Sequence, residues 1–299
     1  MQHNVSQRLR EYLLLIRLPN IFTTPSNILA GYFAAVTVAE ADIAQLIAVM
    51  VSSGLLYVGG IVLNDYFDVE IDKRERPSRP LPSGNISKRH ALAVAIVALL
   101  IANTIAFVIG PISLAVSLAL TFAIIAYDYR LKHGPLGPFA MAGARFLNVI
   151  LGASPVLLYI NNHSYAIVGA AAASLFLYIV AITILSKKEA GNERPNSTMA
   201  SLMIFGVTSA VGALGLVLLQ LQLAFLLNLS IFAAVMIITF KQHLWKELPS
   251  VQKAVRNMVI SIIIIDSVFV TGTAGLPYGL ATLLLIAPAV VLAKKLYVT

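Results

Sequence analysis

Stretches of about 20 mostly apolar residues follow one another along nearly the whole chain, and this succession limits the fold more than any other feature. A bilayer's hydrocarbon core is about 30 Å thick and an α-helix rises about 1.5 Å per residue, so each stretch is long enough to cross. Unpaired backbone N–H and C=O groups are costly in lipid, which restricts a spanning chain to helices or a closed barrel. The long apolar runs lack the residue-by-residue alternation of barrel strands, so the expected fold class is all-α. Of 299 residues, 59% are hydrophobic and only 11% charged, too little polar surface to cover a water-soluble globule. A polytopic integral membrane helical bundle is expected, with residues 1–299 forming a single domain.

Ten candidate spans can be drawn, at roughly 20–38, 44–64, 89–109, 111–128, 138–160, 165–186, 199–219, 222–240, 256–273 and 277–293. Lys and Arg fall before the first span and after the second, fourth, sixth, eighth and tenth, and are absent from the other connections. The positive-inside rule then puts both termini and every even-to-odd loop in the cytoplasm of a cell-membrane protein. The net charge of +8 resides in those short loops and is a topology signal, so no nucleic-acid partner is expected. Met1 to Arg17 read as a basic amphipathic lead-in rather than a signal peptide. Gly272 to Pro277 joins the last two spans so tightly that one of them could be tilted or re-entrant, which leaves nine or ten spans. There is no cysteine, which excludes thiolate chemistry and disulfides.

Acidic residues number only 13 and concentrate in two short motifs. In Asn64-Asp65-Tyr66-Phe67-Asp68-Val69-Glu70-Ile71-Asp72, the acids Asp65, Asp68 and Asp72 are spaced i, i+3, i+7 and share one helix face, whereas Glu70 points elsewhere. Stacked like charges need a compensating cation, and hard oxygen donors without His or Cys favour Mg2+ over zinc. The second motif holds Glu189 and Glu193, an i, i+4 pair, with Gly191 weakening and Pro195 limiting a helix there. Four spans separate the motifs, which suggests two four-helix halves with acidic sites at 64–72 and 189–193. Ordinary juxtamembrane charges in solvated loops are the alternative reading of the glutamates.

Asn64-Asp65-x-x-Asp68-x-x-x-Asp72, followed by Arg76-Pro77-Ser78-Arg79-Pro80-Leu81-Pro82-Ser83-Gly84, closely resembles the signature of the UbiA superfamily of intramembrane prenyltransferases. The likeness extends to Arg17 and Pro19, to Tyr129 and Lys132, and to Gly143, Arg145, Asn148 and Gly152. It implies a nine-helix horseshoe around a central cavity, with a possible tenth C-terminal helix, capped by the two acidic loops on the cytoplasmic side. Glu189 and Glu193 stand where the family commonly has aspartates, which changes the reach of those carboxylates.

By that resemblance the chain is a transferase that moves a prenyl group from a prenyl diphosphate to a hydrophobic or aromatic acceptor by ionisation to an allylic carbocation. One Mg2+ ion would sit on Asp65, Asp68 and Asp72 beside Asn64, and a second on Glu189 and Glu193. Lys132 and Arg79 are candidate cationic contacts to the diphosphate, and Tyr129 a hydrogen-bond donor. Arg145 and Asn148, one turn apart in an apolar span, are expected to face the cavity, since a guanidinium in lipid is costly. Arg17 and Asn27 are further candidate substrate contacts. Asp266 is expected to pair locally or sit protonated rather than take part in catalysis, and Asp128 beside Arg130 could be merely a surface ion pair. Geranylgeranylglyceryl phosphate is the alternative acceptor, giving an enzyme of ether-lipid synthesis. A transporter is the competing class, but it predicts acids near the midplane, whereas these cluster at one surface.

Overall fold

The computed structural model describes residues 5–190, 224–244 and 251–296, and among them regular structure is helical throughout. The helices are α1 (Val5–Leu15), α2 (Leu18–Ile21), α3 (Thr23–Ala35), α4 (Ile43–Glu75), α5 (Lys88–Ile109), α6 (Pro111–Tyr129) and α7 (Gly137–Ala153). They continue with α8 (Asn162–Ala190), α9 (Phe225–Thr239), α10 (Val251–Ile260), α11 (Ile262–Ala274), α12 (Leu276–Leu283) and α13 (Ile286–Leu296). Seven helical segments among the described residues are long and apolar enough to cross a membrane, and the chain is an integral membrane protein.

Local chemistry sets the helix starts. Asp42 accepts the backbone N–H of Gln45 at 3.0 Å to open α4, and Ser87 accepts that of His90 at 3.2 Å to open α5. Pro111 begins α6, where its missing N–H leaves nothing unpaired. At 33 residues, α4 is about 50 Å long and outlasts the hydrocarbon core, which carries its last turns into the polar zone. Lys73 and Arg74 close it, cations where the helix dipole is negative.

Two helices are buried nearly all round. Ten of the 13 residues of α3 are buried, as is every residue of α11 from Ile262 to Gly272. Around them stand α4, α7, α8 and α9. Leu100, Phe107, Val108, Phe122 and Leu284 are exposed on the outer helices, the expected dress of a lipid-facing wall. Close approach of α3 and α7 depends on two glycines. A Cβ on Gly31 would stand 1.9 Å from the Val149 carbonyl oxygen, and one on Gly152 would stand 2.5 Å from that of Ile28.

Several spans differ from the hydropathy reading. The first contains a helix of only 13 residues, because the chain turns at Arg17 and again before Thr23. The fifth stops at Ala153, and residues 154–159 form turns where hydropathy predicts helix as far as 160. The ninth is broken at Ser261, and the last at Leu284 and Leu285, though both members of this pair are long enough to cross. Hydropathy sums over such breaks without registering them. The candidate at 199–219 lies outside the described residues.

Candidate functional site at the mouth of the bundle

The polar end of α4 is where distant charges meet. Asp65, Asp68 and Asp72 do share a face, and each contacts a basic group from another part of the chain. Arg17, in the link between α1 and α2, donates from Nη2 to Asp65 Oδ1 at 2.6 Å. Arg79, in the proline-rich loop, donates from Nη1 to Asp72 Oδ2 at 2.7 Å and lies 3.5 Å from Asp65 Oδ1. Lys132, just past α6, sets Nζ 2.7 Å from Asp68 Oδ1 without the alignment of a hydrogen bond, so charge alone holds that pair. His133 Nε2 stands 4.0 Å from the same oxygen. Glu70 points away to Lys73 at 2.9 Å.

Arg17 reaches Asp65 from a left-handed backbone, φ 46° and ψ 53°, the one positive φ at a non-glycine among the described residues. That conformation costs about 1–2 kcal/mol for an L-residue and persists where surrounding contacts hold it. Burial and the nearby Arg17 both lower the pKa of Arg79, and Asp65 and Asp72 oppose them. An arginine starts so high that it stays charged.

Beneath the mouth lies a cavity of about 380 Å³, within the range of small-molecule sites. Leu56, Leu120, Ile124 and Ile182 give it apolar walls, while Arg17, Asn64, Asp128, Arg145 and Asn148 supply polar groups. Asn64 donates from Nδ2 to Asp128 Oδ1 at 2.9 Å. Asp128 is therefore no surface partner of Arg130: it is 3% exposed and turned inward, because the last turn of α6 packs its polar face against α4. A lone acid closing an apolar run gives no sequence signal of this.

Arg145 and Asn148 line the cavity. Asn27 stands behind them, accepting at Oδ1 from Arg145 Nη1 at 3.1 Å and from Asn148 Nδ2 at 3.2 Å. Tyr129 does not join the group. It is 69% exposed and packs edge-on against Phe67, while Tyr127, two residues earlier and on another face of α6, lines the cavity instead. Glu189 falls in the last turn of α8 and Glu193 beyond it, and both side chains lie outside the described residues.

The acids of α4 are strung over about 10 Å of helix, and no three His, Asp or Glu side chains among the described residues could share one ion. Mg2+ does not require such a cage. It binds through one or two carboxylates, with water and substrate phosphates completing an octahedron. The donors here are hard oxygens, and a guanidinium or ammonium already occupies the cationic place beside each, so residues and group fit.

Fold and site together define a helical membrane protein with a charged mouth over an apolar cavity. Residues 26–247 match the UbiA prenyltransferase family, and the chain belongs to it. The digeranylgeranylglyceryl phosphate synthase of Ignicoccus hospitalis is 36% identical over 124 residues, covering 42% of this chain and 39% of that protein. That of Methanothrix thermoacetophila is 42% identical over 113 residues, 36% of this chain and 42% of that protein. The match thus spans about two fifths of the length of these curated relatives. A UbiA homolog from Aeropyrum pernix K1 shares the fold with a TM-score of 0.68 at 17% identity, over 83% of this chain and 96% of that one. A UbiA homolog from Archaeoglobus fulgidus bound to GPP and Mg2+ gives 0.53 at 17% identity, over 95% and 99%. At such identity the likeness shows the fold.

Lys132→Met removes the cation nearest Asp68 and leaves a poorly hydrated carboxylate behind. A loss of about 1–3 kcal/mol is expected, with Asp68→Leu/Lys132→Met recovering most of it. Unfolding of the three proteins in one detergent measures both; a double variant as unstable as Lys132→Met would show that the pair is not coupled.

Proposed function

We propose that this protein transfers a prenyl group from a prenyl diphosphate to a lipid acceptor at the mouth of its bundle. The observation that carries the reading is the arrangement around α4. Three carboxylates are neutralised by Arg17, Arg79 and Lys132, brought from three segments to the polar end of an apolar cavity. A prenyl diphosphate has the same polarity, a dense anion on an apolar tail. The three basic groups bind the diphosphate, and the cavity walls enclose the tail and keep water from the carbocation formed when the allylic C–O bond breaks. The acceptor's hydroxyl oxygen then bonds to that carbon, its proton is lost, and diphosphate leaves. Asp65, Asp68 and Asp72, beside Asn64, would offer one or two carboxylates at a time to a Mg2+ ion, and Glu189 and Glu193 would hold a second; bound there, the ions would neutralise charge on the departing diphosphate.

Geranylgeranylglyceryl phosphate is the acceptor we favour, because both relatives described above are named digeranylgeranylglyceryl phosphate synthases. Its phosphate suits Arg145 and Asn148, which face the cavity below the mouth. The decisive assay gives the protein geranylgeranyl diphosphate, geranylgeranylglyceryl phosphate and Mg2+, and follows diphosphate release and product mass. Doubly prenylated glyceryl phosphate is expected, with Asp65→Asn and Asp72→Asn each slowing turnover at least about 100-fold. Product with an aromatic acid in its place would reassign the acceptor; no diphosphate release with either would refute prenyl transfer.

The mouth, and with it the N-terminus, faces the cytoplasm in this reading, supported by the basic loops at that end. The native chain has no thiol, so an Arg76→Cys variant offers a single labelling site. It should resist a membrane-impermeant maleimide added outside intact cells and react in inverted vesicles; labelling from outside would reverse the orientation.

A further inference from the structure

Asp266 lies in the apolar sequence of α11, 2% exposed, and outside the residues that line the cavity. Its Oδ2 accepts from Ser26 Oγ at 2.5 Å and from Asn27 Nδ2 at 2.7 Å. The second bond decides how the Asn27 amide is turned. Reversing that amide would set its carbonyl oxygen against the carboxylate and its NH2 against two donors, so one orientation satisfies every group. Asn27 Oδ1 then accepts from Arg145 Nη1 and Asn148 Nδ2. Asn148 is fixed in turn, because its Oδ1 accepts from Ser53 Oγ at 2.7 Å and its Nδ2 also approaches the Thr24 carbonyl at 3.4 Å.

A chain of donors and acceptors thus runs from α11 through α3 to the two cavity residues of α7. Its geometry is held by the glycine contact between α3 and α7. The chain also places a carboxylate one amide away from Arg145, a counter-charge that lowers the cost of a guanidinium inside the bundle. Only Nη1 is used in these contacts, so the other N–H groups of Arg145 remain for a ligand in the cavity that it lines.

We infer that Asp266 is a positioning residue: by holding the Asn27 amide in one orientation, it presents Arg145 and Asn148 to the anionic headgroup of the acceptor. The inference rests on the proposed function for the identity of that acceptor. It is independent of the diphosphate site, whose charged contacts are Arg17, Arg79 and Lys132.

Two substitutions and an exchange test it. Asp266→Ala releases the amide of Asn27. Asn27→Asp places one carboxylate against another. The exchange Asn27→Asp/Asp266→Asn rebuilds the set with the two groups traded. The carboxylate now on α3 accepts from Arg145 and Asn148, while the amide now on α11 donates to that carboxylate and accepts from Ser26. Binding of geranylgeranylglyceryl phosphate alone, and separately of geranylgeranyl diphosphate with Mg2+, would be measured through thermal stabilisation in detergent. Asp266→Ala and Asn27→Asp should each weaken glyceryl-phosphate binding at least about tenfold, the loss of roughly 1.4 kcal/mol. The exchange should return it to within about threefold of wild type, and diphosphate binding should stay within about threefold throughout. If Asp266→Ala does not fold, the comparison of Asn27→Asp with the exchange still decides. Wild-type glyceryl-phosphate affinity in the single variants, or an exchange no better than Asn27→Asp, would overturn the inference. Wild-type protein that ignores glyceryl phosphate would instead remove the proposed acceptor.

Discussion

A charge at the edge of a bilayer persists at low cost only when an opposite charge meets it, and the mouth of this bundle is organised by that demand. Asp65, Asp68 and Asp72 crowd one side of α4, and alone they would repel one another along the helix. Arg17, Arg79 and Lys132 offset that repulsion, and in doing so they tie down the start of the chain, the proline-rich loop and the connection after α6. The network therefore both shapes the mouth and stocks it with the groups a diphosphate needs.

Deeper in the bundle the same demand is met differently. Arg145 has no direct carboxylate partner among the described residues; Asn27 and Asp266 satisfy it through an amide. That arrangement needs backbones closer than most side chains permit, and Gly31 and Gly152 provide the approach. The cavity thus carries two sets of polar groups, Arg17 and Asn64 from the mouth and Arg145 and Asn148 from the amide-linked interior. A ligand with an anion at one end and a second polar group along its length would fit both, as would two ligands meeting between them.

The spacing of the α4 acids shows directly in sequence, because a periodicity of 3.6 puts them on one face whatever the helix packs against. The overall class is equally legible, since apolar run length alone dictates helices in a membrane. Pairings are not. Nothing local links Asp65 to Arg17, 48 residues away, or Asp266 to Ser26, 240 residues away. Rotation of a helix end is similarly hidden, and it exchanges Tyr129 for Tyr127 at the cavity. Asp128 misleads in sequence because an adjacent basic residue is not a neighbour in space when the helix carries the two to different faces. The role of Glu189 and Glu193 rests on sequence alone, since neither side chain lies within the described residues.

If the mouth is a Mg2+-dependent diphosphate site, it should recognise the diphosphate group without any prenyl tail. Titration of the purified protein with inorganic pyrophosphate, with Mg2+ present and with it removed by chelation, measures this directly. Binding at least about tenfold tighter with Mg2+ is expected, since Arg17, Arg79 and Lys132 only balance the three carboxylates of α4 and the ion adds the positive charge that a dense polyanion requires. Equal affinity with and without the ion, or no binding under either condition, would contradict the assignment of Asp65, Asp68 and Asp72 as a Mg2+-diphosphate site.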